Sequence, residues 1–269
     1  ALKDLSEAHR PEIVRAIMTT DTIPKETAVE VELGGAPVRI GAIAKGAGMI
    51  SPTMATMFCF VTTDAAIEAS ALRKALRQAV DGSFNCITVD GDMSTSDTVL
   101  VLAGGRAGNQ LIRSRSKAFD QFSEALTEVC LRMAKEIVRD AEGATRLITI
   151  QVTGAACRDE ARQAGLAVAN SPLVKTAFFG GDPNLGRIIC AIGYSGIGVE
   201  ESRISISCNG VLLFDEGRVV AVDEKSVRKK LSSRDILVEI DLGMGESGEV
   251  IYTSDLSYEY VKINAEYTT

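Results

Sequence analysis

Ile204-Ser205-Ile206-Ser207-Cys208-Asn209-Gly210-Val211-Leu212-Leu213-Phe214 carries the strongest hairpin signal in the chain. Two β-rich runs flank Asn-Gly, the dipeptide that most easily takes positive φ at both central positions of a type I′ turn. Outward from it, further strands are expected over Ala28 to Leu33, Val38 to Ile43, Leu147 to Val152, Ile236 to Leu242 and Tyr258 to Tyr267. Two amphipathic helices stand among them. One runs from Asp64 to Val80, with Leu72, Leu76 and Val80 every four positions and Asp81-Gly82 as the stop. The other runs from Phe119 to Ala141, its stripe made by Phe122, Leu126, Val129, Cys130, Met133, Ile137 and Val138 before Gly143. Both are expected to lie on a sheet. A third is signalled by Asp182 as N-cap and Pro183 at the first helical position, ending at Gly193. Gly217 to Arg234 reads as a solvated helix and loop. Strands and helices are interspersed without a regular βαβ alternation, which predicts a layered α+β sandwich rather than a doubly wound parallel sheet. A change of character near Leu147 suggests residues 1–146 and 147–269 as two parts, or one continuous domain.

Composition narrows the class. The 269 residues are 46% hydrophobic and 24% charged, the balance of an ordinary globular protein. A formal charge of −7 argues against a surface that neutralises phosphates, so nucleic acid is excluded as a partner. The longest apolar stretches, such as Ile188 to Ile192 and Val99 to Ala103, are far shorter than the roughly 20 residues of a spanning helix, so no membrane partner is expected. Ala1 to Arg10 lacks the basic-then-apolar layout of a secretory signal, and a cytoplasmic protein is expected. Six cysteines (Cys59, Cys86, Cys130, Cys157, Cys190, Cys208) without C-x-x-C spacing read as reduced, buried thiols. The single histidine, His9, rules out a His-based metal cluster within the chain and leaves a Ser-His-Asp triad only that one residue as base. It reads as a surface residue, and no metal is expected.

Three glycine-bearing segments invite a chemical reading. Gly243-Met244-Gly245-Glu246-Ser247-Gly248 matches G-x-G-x-x-G but lies too near the C-terminus for a βαβ unit, so it reads as a turn. Asp90-Gly91-Asp92-Met93-Ser94 lacks the turn glycine and the bidentate Glu of a calcium loop, with Thr95 and Val101 at those places. The third is Lys45-Gly46-Ala47-Gly48-Met49-Ile50-Ser51-Pro52-Thr53-Met54-Ala55-Thr56-Met57, followed by the apolar run Phe58-Cys59-Phe60-Val61. On composition alone it is a turn into a buried strand.

That third segment, from Ile43 to Met57, closely resembles the cleavage segment of the ornithine acetyltransferase (glutamate N-acetyltransferase) family. Four further ordered blocks agree: Ala16 to Thr22, Ser83-Phe84-Asn85 with Ile87 to Asp92 and Ser94-Thr95, Asp182-Pro183-Asn184 with Gly186-Arg187, and Tyr260 to Tyr267. The resemblance implies a layered α/β/β/α sandwich of the ornithine acetyltransferase and DmpA-like self-cleaving class. It implies self-cleavage between Ala55 and Thr56, with the two chains staying associated, expected as a heterotetramer. After the cut, the Thr56 α-amine, with an ordinary pKa of about 7.7–8.0, supplies a base beside the threonine hydroxyl. That resolves the shortage of histidine.

The implied reaction is ping-pong: Thr56 takes acetyl from N-acetylornithine, ornithine leaves, and glutamate accepts the group as N-acetylglutamate, in arginine biosynthesis. No cofactor is implied, and acetyl-CoA is left open as a second donor in bifunctional members. Matching the family's substrate-binding positions gives Thr19, Lys45, Thr56, Glu142, Asn264 and Thr269. Lys45 suits a carboxylate and Glu142 an ammonium, while the others hydrogen-bond the remainder of a zwitterion. Two departures stand out. Leu185 occupies a position where the family often carries tryptophan. The family's oxyanion hole comes from a Thr-Gly pair upstream of Thr19, and nothing before Ala16 matches it, so a missing N-terminal part or another chain is expected to supply it. The competing readings are a self-cleaving aminopeptidase or amidase, with water as acceptor, and an inactive amino-acid-binding fragment.

Overall fold

The computed structural model describes residues 9–51 and 57–266. The chain is α+β and divides into two compact units, Ala1–Ile87 with Asp92–Asp140, and Thr88–Gly91 with Ala141–Thr269.

The first unit opens with α1 (Arg10–Ala16) and the antiparallel pair β1 (Lys25–Leu33) and β2 (Ala36–Lys45). β2 pairs with β3 (Phe58–Thr63) so that Lys45 stands opposite Phe58, and residues 46–57 form the connection between them. After α2 (Ala69–Asp81), the two-residue β4 (Ile87–Thr88) belongs to the second sheet, and β5 (Thr98–Ala103) returns parallel to β3. The first sheet therefore has the order β1-β2-β3-β5. The long helix α3 (Lys117–Arg139) is capped by the Ser116 hydroxyl, which accepts from Phe119 N–H, and buries the predicted stripe from Phe122 to Val138 against β1 and β2. Alternating burial along β2 puts Val38, Ile40, Ala42 and Ala44 on the face beneath it.

α2 departs from expectation in two ways. It starts at Ala69 rather than Asp64, because the carbonyls of Asp64 and Ala66 accept N–H groups from Arg106, Ala107 and Ile112 and are not available to a helix. Its buried stripe is Ala71, Ala75 and Ala79, with Leu72, Leu76 and Val80 only half-buried, and its main partner is α3 rather than the sheet. Small residues let the two helix backbones approach.

The second unit is a seven-stranded sheet, β4-β11-β6-β10-β7-β8-β9, built from β6 (Leu147–Ala155), β7 (Ser205–Cys208), β8 (Val211–Asp215), β9 (Arg218–Val219), β10 (Asp235–Asp241) and β11 (Ser247–Ser254). β10 runs parallel to β6, and β11 antiparallel to it. The expected hairpin is β7-β8, with Asn209 at φ 47° and Gly210 at φ 71° between the paired Cys208 and Val211. The glycine-rich run from Gly243 is the β10-β11 turn, its Met244 and Gly245 N–H groups both donating to Gly154 O. Ile150, Val152, Val238, Ile240 and Ile251 form the core with the helix α4 (Arg158–Ala169), which had no signal in the sequence because its buried face is Ala161, Ala164, Gly165, Val168 and Ala169.

Several further expectations are corrected. α5 (Pro172–Phe179) is an unexpected helix, started by Ser171 and Pro172. In α6 (Leu185–Gly193) the N-cap is Asn184, whose side chain accepts from Arg187 N–H, while the Asp182 carboxylate caps Asn184 instead. Gly217 to Arg234 holds β9 and α7 (Glu224–Lys230), but Val227 and Leu231 are buried in the core. Tyr258 to Tyr267 is not a strand: α8 (Tyr258–Glu266) is a helix whose half-buried positions, Tyr260 and Ile263, lie three apart and share one face. Its β-forming residues outweighed that spacing in the sequence. Cys157 and Cys190 are exposed, and the other four cysteines are buried as expected.

Candidate active site

In the first unit the site is organised around the connection between β2 and β3. Lys45 closes β2, is buried, and holds its ammonium 5.3 Å above the Phe58 ring and 3.4 Å from Thr19 Oγ1. Thr19 itself is exposed. Ala55 and Thr56 lie outside the described residues, as does Thr269. Sequence places Thr56 two residues before Phe58, the partner of Lys45 across the sheet.

Carboxylates anchor both described ends of this connection. At the start, Asp21 Oδ1 accepts the Gly46 N–H at 2.7 Å, and Asp21 Oδ2 accepts the Thr19 N–H at 3.1 Å. One side chain thus sets both Thr19 and the residue after Lys45. Asp21 is held in turn by Lys25, 2.7 Å away, whose ammonium also contacts Asp140 Oδ2 at 2.5 Å. Asp140, the C-cap of α3, receives the Thr22 N–H at 3.0 Å, the Ile23 N–H and the Thr22 hydroxyl. Burial would raise the Asp21 carboxyl, but the Gly46 N–H, Lys25 and the Thr19 N–H outweigh it and hold its pKa below the ordinary value. At the far end Asp97 Oδ1 accepts the Met57 N–H at 2.9 Å, and Thr98 N–H donates to Met57 O. Burial pushes the Asp97 carboxyl above its ordinary pKa, while the Met57 N–H and the Lys45 charge draw it down. A cavity of about 520 Å³ opens here, lined by Ser51, Met57, Asp97, Leu76, Arg77 and Phe84 among others. That volume suits a small ligand.

In the second unit, Asn264 Nδ2 donates to Glu142 Oε2 at 2.8 Å and to Tyr260 O at 3.0 Å. Glu142 is half-buried and Asn264 exposed, so part of the carboxylate faces solvent. The loop carrying Glu142 lies against the first turn of α8. Ser257 Oγ donates to Gly143 O at 2.6 Å, and a Cβ on Gly143, at φ 68°, would fall 2.4 Å from Tyr260 N. Only glycine fits there.

The candidate residues therefore occur as contacting pairs, Lys45 with Thr19 and Glu142 with Asn264. Asp21, Lys25, Asp140 and Asp97 were not singled out in sequence. Asp21 lies inside the Ala16 to Thr22 block, but its grip on Gly46, 25 residues on, leaves no local signal. Among the described residues no cluster of His, Cys, Asp or Glu is arranged to hold a metal ion, and no helix is long and apolar enough to cross a membrane.

Two α+β units, with a polar pair at the head of a β-hairpin connection and another at a helix, define the structural class, and a solved protein shares it. The crystal structure of the arginine biosynthesis bifunctional protein ArgJ from Bacillus halodurans matches 77% of this chain and 98% of its own with a TM-score of 0.75 and 41% identity. The ArgJ family model matches residues 1–269. An arginine biosynthesis bifunctional protein ArgJ of Symbiobacterium thermophilum is 50% identical over 98% of this chain and 66% of its own length. A glutamate N-acetyltransferase of Methanocaldococcus jannaschii is 48% identical over 95% of this chain and 65% of its own. The chain belongs to the ArgJ family. It spans about two thirds of the length of these curated relatives.

Proposed function

We propose that this chain is the nucleophile-bearing part of an acetyltransferase that carries acetyl from N-acetylornithine to glutamate in arginine biosynthesis. Maturation begins with attack of Thr56 Oγ on the Ala55 carbonyl. The Ala55–Thr56 C–N bond breaks, the proton passes to the new α-amine, and water hydrolyses the resulting ester. In turnover the α-amine takes the hydroxyl proton as Thr56 Oγ attacks the acetyl carbonyl, and returns it to the departing ornithine amine. Glutamate then attacks the acetyl-threonine ester, which regenerates Thr56. Lys45 pairs with the substrate carboxylate, Glu142 with its ammonium, and Thr19, Asn264 and Thr269 hydrogen-bond the rest. The reaction needs no cofactor, and acetyl-CoA serves as donor only if the chain is bifunctional like its relatives. The cleaved chains remain paired in a heterotetramer in the cytoplasm.

The observation that carries this reading is the grouping around the β2-β3 connection: Lys45 contacts Thr19, and the carboxylates of Asp21 and Asp97 hold residues 46 and 57 on either side of Thr56. The family match supplies the chemistry, and names of relatives supply the pathway. Thr56→Ala tests it: the expected product is a single uncut polypeptide with no transferase activity. Cleavage of that variant at the same bond would refute the nucleophile assignment. Loss of acetyl to water alone in the wild type would favour the hydrolase.

A further inference from the structure

A lysine that takes no part in the transfer reaction lies in the second unit, against the stretch of chain that leads into the helix carrying Asn264. Lys175, in α5, is 3% exposed. Its ammonium donates to Thr253 Oγ1 at 2.8 Å, to the Ser254 carbonyl and to Ser254 Oγ at 3.5 Å, and its own carbonyl accepts the Leu256 N–H. It thus grips the end of β11 by side chain and main chain. The same stretch reaches across to the loop of Glu142. Asp255 accepts the N–H groups of Thr145 and Arg146 at 2.8 and 2.9 Å and the Thr145 hydroxyl at 2.5 Å. Ser257 holds Gly143, the neighbour of Glu142, and α8 begins one residue later with Asn264 on it.

We propose that Lys175 is a positioning residue for the ammonium-binding side of the site: it fixes the strap 253–257 from which both Glu142 and Asn264 are presented. This rests on the assignment of Glu142 and Asn264 to the substrate. Among the described residues no carboxylate lies within ion-pair distance of Lys175, and hydrogen bonds to neutral oxygens hold it. Burial lowers its pKa to about 7, with Asp255 and Asp90 pulling the other way. Those two carboxylates are the charged groups acting on it, and Asp90 is itself met by Tyr260 Oη of α8 at 3.3 Å. Around neutral pH the strap therefore passes between a charged grip and a weaker, uncharged one.

The test is the affinity for ornithine, by calorimetry between pH 6 and 8, of the wild type, Lys175→Met, Glu142→Gln and the double variant. Methionine keeps the length and apolar stem of the lysine. Lys175→Met is expected to weaken binding about tenfold at pH 6, the scale of a lost charged hydrogen bond. Wild-type affinity falls as pH rises through about 7, whereas the variant's does not follow that profile. In the Glu142→Gln background Lys175→Met adds no further loss. If a folded Lys175→Met binds within twofold of wild type, or costs as much without Glu142 as with it, the proposal is wrong. If Glu142→Gln alone leaves ornithine binding unchanged, the substrate assignment itself fails, which is a separate result. Should Lys175→Met not fold, Thr253→Val removes one oxygen that receives the ammonium, and an unchanged affinity there overturns the proposal equally.

Discussion

Lys25 and Lys175 are both almost out of water, and they are held in opposite ways. Lys25 sits between Asp21 and Asp140, with an ammonium-carboxylate contact on either side. Among the described residues Lys175 hydrogen-bonds to hydroxyls and a carbonyl, with the carboxylates of Asp255 and Asp90 acting from a distance. Desolvation is large for both, and what differs is whether an opposite charge is in contact to offset it. The first cluster is a contact ion-pair clamp, whereas Lys175, with a pKa lowered by burial to about 7, can lose its proton near neutrality. Each acts on a segment expected to bind substrate: Asp21, held by Lys25, takes the amides of Thr19 and Gly46, while Lys175 holds the strap that runs into α8 and Asn264.

The largest effect expected from this contrast comes from Lys25→Met. It leaves two buried carboxylates facing each other without a cation and should cost about 3–5 kcal/mol of stability by urea unfolding at pH 7. Lys175→Met should cost far less, since no buried carboxylate in contact loses its partner. Equal losses would erase the distinction. Next is Asp21→Asn, which keeps the shape but loses charged hydrogen bonds worth about 1.5–3 kcal/mol, and which should raise KM through Lys45 and Thr19. The sign with pH follows from the lowered pKa. Ionised Asp21 contributes its stability above the unfolded value of about 3.9, and that contribution is lost as pH falls through the lower folded value. The wild type should therefore lose its advantage over Asp21→Asn only on acidification below that range.

Lys175 should behave in the reverse sense. Its folded pKa of about 7 lies below that of a free lysine, so between about 7 and 10.4 the unfolded chain binds the extra proton. Wild-type stability should climb relative to Lys175→Met across that window, and parallel curves would contradict the assignment. Gly143→Ala forces a Cβ to within 2.4 Å of Tyr260 N at a positive φ. A cost of about 1–3 kcal/mol is expected, with weaker ornithine binding because the loop of Glu142 must shift. Smallest of all is Glu128→Ala, which removes an exposed partner of Arg132 and should change stability by less than about 0.5 kcal/mol.

The sequence made the regular parts legible. The β-rich run Val38 to Ile43 announced β2, the long stripe announced α3, and Asn209-Gly210 announced the β7-β8 turn. Elements with small or mixed faces escaped it: α4 buries alanines and a glycine, and α8 carries β-forming tyrosines, valine and isoleucine on a helix. Thr19, Lys45, Glu142 and Asn264 were named by resemblance, and their pairwise contacts appear only when the chain is folded. The partners of Asp21, Asp140 and Lys175 lie as much as 118 residues apart, as Thr22 and Asp140 do, and no local pattern encodes such separations.

The proposed transfer requires an acetyl group to rest on Thr56 between donor and acceptor. Wild-type protein should be incubated with N-acetylornithine, quenched in acid, and the peptide beginning at Thr56 analysed by mass spectrometry. The expected result is a free N-terminal Thr56 whose hydroxyl carries acetyl, and whose acetyl disappears when glutamate is added before the quench. A peptide still joined to Ala55, or acetyl found on another residue while transfer proceeds, would contradict it.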